Sequence, residues 1–171
     1  MTEPWLNFAV VIFAQLLFFI AHAYYAKKLS DMPRILGLGV CIGVVMGLLY
    51  DLVLGKFLGL ASYTLGFGAF FLIVNGALSY GLFAASTLLM QHARLRYFFP
   101  WIIVLIAVYE ITNHFFRVWT WEFTHLLVYL PPIEFLLILL VGYFGGAMFV
   151  AVLSYAFLGC RFFFIDNLLK K

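Results

Sequence analysis

An all-α, polytopic membrane fold, a five-transmembrane-helix bundle, is what this sequence predicts. Three observations lead there: 67% of the 171 residues are hydrophobic, only 10% are charged, and the mean hydropathy is +1.12. Water-soluble domains average about 45–50% apolar and about 25% charged residues. No soluble fold can hide so much Phe, Leu, Val and Ile, and the same balance excludes a disordered chain, a disulfide-rich secreted module and a nucleic-acid binder. A single membrane-embedded domain, 1–171, is expected.

A helix needs about 20 mainly apolar residues to cross a hydrocarbon core ~30 Å thick. Runs of that length, bounded by charge, Pro or Gly, are Trp5 to Tyr25, Ile35 to Leu54, Phe67 to Met90, Phe98 to Phe116 and Pro132 to Leu158. The first has no basic residue before it and only Ala26-Lys27-Lys28 after it, so it reads as a retained helix rather than a cleaved signal. Pro33, Pro100 and the Pro131-Pro132 pair mark the starts of the second, fourth and fifth runs, where a missing N–H is tolerated. Gly39, Gly43 and Gly47 line the second run as a stripe for close backbone approach. Asn75, Gly76 and Ser79 in the third, and Gly142, Gly145 and Gly146 in the fifth, read as further contact faces. Trp5 and Trp101 suit the aromatic belts of a bilayer interface. Cys41 and Cys160 form no CxxC and read as inert packing thiols.

Alternation of the runs puts Lys27, Lys28, Arg34, Arg94, Arg96, Arg161, Lys170 and Lys171 on one side and only Lys56 and Arg117 on the other. Cytoplasmic loops carry the excess of basic residues, which predicts the N-terminus outside and the C-terminus in the cytoplasm, in the cell's inner membrane. The acids divide the other way: Glu3, Asp51, Glu110, Glu122 and Glu134 gather toward the outer side, Asp31 and Asp166 toward the inner.

The fourth run ends in Tyr109-Glu110-Ile111-Thr112-Asn113-His114-Phe115-Phe116-Arg117. Positions i, i+3, i+4 and i+7 share a helical face, so Glu110, Asn113, His114 and Arg117 are expected to form one polar stripe. A charge at bilayer depth costs ~2.5–3.5 kcal/mol even on the insertion scale, so the stripe must face protein or a wet cavity. The bland reading is a polar chain that glues helices together; the functional one is a buried acid tuned by its His and Arg neighbours. Glu134 lies in the first turn of the fifth run, where the helix dipole favours an anion. Asp51 closes the second run and could simply pair with Lys56. Glu110, His114 and His125 fall short of a full metal-ligand set, so neither a metal nor another cofactor is expected. His22, in register with Gln15, reads as a hydrogen-bonded packing residue.

A displacement of 59 residues lays Tyr50-Asp51 on Tyr109-Glu110 and Val74-Asn75 on Ile133-Glu134, although few other positions match. It outlines an internal repeat of 35–90 and 98–158 whose halves run in the same direction, related by an axis along the membrane normal. Asp51, Asn75, Glu110 and Glu134 then converge on one site.

Glu110, the Trp119-Thr120-Trp121 step and Pro132-Ile133-Glu134 together resemble the half-repeat of the small membrane-integral lycopene cyclases, the carotenoid/terpene cyclase domain family. That family carries an acid, a W-x-aromatic step and a P-[LI]-E-E motif. This chain departs from it in having Phe135 for the second Glu, Asn75 for the first half's acid, and five helices instead of two complete halves. The resemblance implies an isomerase or lyase: acid-catalysed, redox-neutral cyclisation of a lipophilic isoprenoid, a carotenoid or terpenoid, by protonation of a double bond. Trp119, Trp121 and Phe135 would stabilise the passing cation by their ring faces. Glu134 would donate the proton, with Glu110 and Asp51 holding or returning protons. Asn75, Asn113, His114 and Arg117 complete the expected substrate-binding set, the last two outside the family's pattern. The expected partners are membrane lipid, the isoprenoid substrate and a homo- or hetero-oligomer, with no nucleic acid. The rival reading is a non-catalytic carrier or binding subunit for a small lipophilic ligand.

Overall fold

Among the described residues, five helical segments are long and apolar enough to span a membrane: Pro4–Tyr25, Leu29–Phe57, Ala69–Gln91, Tyr97–Phe116 and Leu136–Leu158. The computed structural model describes residues 4–92, 95–121, 132–159 and 162, and among these the side chains of all but 54, 92, 95, 96 and 132–135. The elements are α1 (Pro4–Tyr25), α2 (Met32–Tyr50), β1 (Ala61–Tyr63), α3 (Ala69–Asn75), α4 (Gly81–Leu88), α5 (Leu95–Phe116), β2 (Trp119–Trp121) and α6 (Pro132–Leu158). Two segments are π-helical: Asp51–Phe57 continues α2, and Gly76–Tyr80 joins α3 to α4. The wider π turn re-aims the side chains it carries and is common at functional sites.

The glycine stripe of α2 is a packing surface. A Cβ at Gly39 would lie 2.6 Å from the Gly81 carbonyl oxygen, one at Gly47 would lie 2.7 Å from Gly76 Cα, and one at Gly43 would overlap the Gly81 backbone. The second and third spans therefore meet backbone to backbone, as small residues permit. The third span is the centre of the bundle, with every residue from Gly81 to Met90 buried. With its Phe83, the surrounding Ile42, Met46, Leu105, Ile106, Leu139 and Val150 form the main core. Large apolar side chains such as Phe13, Phe70, Ile103 and Phe157 are exposed all round. Exposed apolar surface on this scale needs an apolar cover, and it lies on helices long and apolar enough to span a membrane.

Several expectations are corrected. Of the α6 glycines only Gly146 is a contact residue, packing against Met46 and Phe83, whereas Gly142 and Gly145 have nothing within 4 Å of an added Cβ. Cys41 is exposed on α2 instead of packed, and Cys160 lies outside the described residues. Trp101, near the start of its span, is only 9% exposed, and its ring packs 5.8 Å from that of His22. His22 packs but is not hydrogen-bonded through Nδ1 among the described residues, and both Gln15 amide atoms also lack partners there.

The strands are the feature hydropathy does not predict. β1 and β2 pair antiparallel, with Ala61 opposite Trp121, Ser62 opposite Thr120 and Tyr63 opposite Trp119. The ladder runs on through Thr64 N–H to the Val118 carbonyl at 3.0 Å. It closes the end of the bundle at which α2 and α5 finish.

Candidate functional site: an acid and tyrosine cavity

A cavity of about 310 Å³ lies beneath the ladder, between α2, the third span, α5 and α6. Strand side chains alternate between faces, and Ala61, Tyr63, Trp119 and Trp121 all turn toward the cavity. Tyr50, Asn75, Tyr80, Tyr109 and Tyr143 line its walls with Met46, Phe83, Ile138 and Leu139. Two carboxyl groups stand behind that wall, each held by side chains that form it.

Asp51, 2% exposed, opens the π segment that follows α2. Its Oδ1 accepts from the Tyr63 hydroxyl at 2.5 Å and the Tyr80 hydroxyl at 2.8 Å, and its Oδ2 accepts from Asn75 Nδ2 at 3.0 Å. The bland pairing with Lys56 does not occur; the Lys56 side chain is exposed. Outside the membrane-spanning segments, the Tyr63 hydroxyl is pushed well above its ordinary range by burial, and the neighbouring Asp51 adds to the effect. It is a neutral donor at any ordinary pH.

Glu110, half-buried on α5, repeats the pattern. Its Oε1 accepts from the Tyr143 hydroxyl at 2.8 Å, and the Trp121 indole N–H points at both carboxyl oxygens from 3.2 and 3.3 Å. Each acid is preceded by a tyrosine packed on the hydroxyl donor: Tyr50 on Tyr80 with ring centres 6.2 Å apart, and Tyr109 on Tyr143 at 6.0 Å. The Tyr109 hydroxyl itself donates to the Ser79 carbonyl at 3.2 Å.

The expected four-residue polar stripe does not form. The buried line of α5 runs through Ile102, Leu105, Ile106, Tyr109 and Asn113, and Glu110 sits on its cavity edge. His114 is turned further round the helix and is exposed, and Arg117 lies beyond the helix end, exposed, with φ +50°. Neither lines the cavity. Asn113 is buried but serves the backbone: its Oδ1 accepts from Val118 N–H at 3.0 Å and Trp119 N–H at 2.9 Å, and its Nδ2 donates to the Trp119 carbonyl at 2.8 Å. It shapes the turn from α5 into β2. Asn75, Trp119 and Trp121 do line the cavity. Glu134 and Phe135 fall in the first turn of α6, with their side chains outside the described ones, and His125 lies outside the described residues.

Sequence reasoning overlooked Tyr63, Tyr80 and Tyr143, because tyrosines in a membrane protein are readily assigned to interfacial belts. A usable signal exists: Ser79-Tyr80 and Gly142-Tyr143 sit well inside apolar runs, where no belt accounts for a hydroxyl.

Fold and site together define a helical protein with spans long and apolar enough to cross a membrane and, among the described residues, two acid and tyrosine clusters around one aromatic cavity. Compared with known proteins, the chain matches no family, no curated protein and no solved structure.

Proposed function

We propose that the protein cyclises a lipophilic isoprenoid, a carotenoid or terpenoid, by redox-neutral acid catalysis, as a lycopene or terpene cyclase does. The observation that carries this reading is the double arrangement of a carboxyl behind a tyrosine hydroxyl, Asp51 with Tyr80 and Glu110 with Tyr143, both hydroxyls opening on the same aromatic cavity. A proton passes from acid through hydroxyl to one carbon of a double bond. The cation is attacked by a second double bond of the same chain, which forms the ring bond. A C–H proton then returns to a carboxylate, so the product is an isomer and no oxidant or reductant is needed. The faces of Trp119, Trp121 and the cavity tyrosines stabilise the cation meanwhile.

The two clusters support an internal repeat of 35–90 and 98–158. In that repeat the counterpart of Asn75, which donates to Asp51, is Glu134. Glu134 is therefore read as the proton donor: it supplies Glu110, and Glu110 and Asp51 hold the proton, relay it through their tyrosine hydroxyls or take it back. The protein works in the cell's inner membrane, with the N-terminus and the ladder outside and the C-terminus in the cytoplasm, the arrangement the basic loops favour.

Expression in a host that accumulates acyclic lycopene, followed by lipid extraction, tests the reading. Cyclised isomers are expected with the wild type and are lost with Glu110→Gln and Glu134→Gln, whose amides cannot donate a proton to an alkene. A folded wild-type protein that yields no cyclised lipid is a carrier or binding subunit instead.

A further inference from the structure

We infer that the gap between α2 and α6 is a lateral portal through which one end of a membrane-dissolved isoprenoid passes from the bilayer into the cavity, with Gly142 at its threshold. This rests on the isoprenoid reading above and adds the path and the residue that sets its width.

α6 comes close to α2 at Gly146 and leaves room a turn away. A Cβ on Gly146 would lie 2.8 Å from Met46 Cε, yet one turn nearer the ladder, at Gly142, nothing stands within 4 Å of an added Cβ. Beyond that turn Tyr50 of α2 and Ile138 of α6 border the cavity itself. The mouth reaches the outer surface of the bundle, because Val141 borders the cavity and is 72% exposed, and Gly142 is exposed too.

Chemistry then selects the ligand. Ile138, Val141 and Gly142 offer no side-chain polar group to a water-borne solute, while the hydroxyls wait further in. In a membrane this mouth faces acyl chains, and a hydrocarbon end can move through it without losing a hydration shell. A cavity of about 310 Å³ lies at the small end of ligand pockets, so it takes one end of a long chain and leaves the rest in lipid.

Retinol, an isoprenoid that accepts tryptophan emission, is a suitable probe, since Trp119 and Trp121 border the cavity. The whole protein in nanodiscs is titrated with retinol, and energy transfer is read for the wild type, Gly142→Phe, Val141→Phe and Gly145→Phe. Gly145 likewise has nothing within 4 Å of an added Cβ but does not border the cavity, so it is the control for bulk on α6. The two mouth variants are expected to weaken retinol binding about tenfold or more, with Gly145→Phe unchanged. Wild-type binding retained in both mouth variants, an equal loss in Gly145→Phe, or no retinol binding by the wild type overturns the portal. A blocked mouth in a protein that makes no cyclised lipid leaves the portal standing and removes the cyclase. Equal product from wild type and Gly142→Phe does the reverse.

Discussion

Ser62 stands opposite Thr120 at the centre of the β1–β2 ladder, and that register turns their four strand neighbours toward the cavity. Tyr63 then reaches back to Asp51, and Trp121 to Glu110. One short ladder thus holds both acid clusters in register, because a one-residue slip would turn one strand's donor to the opposite face.

Asp51 is the acceptor on which three donors converge, so its loss should cost more than its size implies. Asp51→Leu strands the Tyr63, Tyr80 and Asn75 donors in a buried site, at about 1–3 kcal/mol for each donor left unpaired. Thermal unfolding in nanodiscs should show a drop of several degrees, larger than that for Asp51→Asn. Equal midpoints for the two variants would contradict the geometry.

The raised Tyr63 hydroxyl makes a prediction about alkaline pH. The folded chain keeps this proton where the unfolded chain, with the ordinary value of 10.0, has lost it. Its contribution is complete below about pH 10 and declines as pH rises above that, since folding then requires a proton to be rebound. Tyr63→Phe should flatten the fall in midpoint temperature between about pH 8 and about pH 11. An unchanged slope in this variant would show that Tyr63 does not contribute.

Asn113 makes three bonds to the backbone of the α5–β2 turn. Asn113→Ala leaves two N–H groups and a carbonyl without their partner and should cost about 2–4 kcal/mol in stability. The turn positions Trp119 and Trp121, so tryptophan emission should also change. His114→Ala, at an exposed position, should leave both midpoint and emission as in the wild type.

Close helix packing predicts a steep cost for a single methyl group. Gly43→Ala drives its Cβ into the Gly81 backbone and should destabilise the bundle by several degrees. Gly37→Ala, with nothing within 4 Å, should be neutral or slightly stabilising, because alanine favours a helix over glycine by about 1 kcal/mol. Similar midpoints for the two would rule out backbone contact at Gly43.

Orientation is tested by impermeant thiol labelling in intact cells, in a background lacking Cys41 and Cys160. Gly68→Cys, exposed at the ladder end, should react from outside, and Ser30→Cys, exposed at the other end, only after the membrane is opened. The opposite order would invert the topology.

The five spans are legible in the sequence because crossing a hydrocarbon core demands an unbroken apolar run, which is a local property. The α2 glycine stripe and the shielding of Glu110 are legible for a related reason: close approach needs small residues, and an acid in an apolar run needs cover. The same logic misreads Gly142 and Gly145, because spacing reports which residues share a face and not what stands opposite. It likewise credits His114 with a place beside Glu110, although a further step round α5 carries it out of the cavity.

Length and hydropathy by themselves predict a helical chain with five runs long and apolar enough to span a membrane, and charge placement assigns five of the seven acids to one side. Only the tertiary structure decides that Asp51 meets Tyr63 and Tyr80, 12 and 29 residues later, that Glu110 meets Tyr143, 33 residues later, and that two three-residue strands seal the cavity above them. Such short strands carry no periodic signal, and a tyrosine hydroxyl in an apolar run gains a partner only when packing brings a second helix to it. The site is therefore set by where the spans cross, a matter of packing between distant segments that no single run encodes.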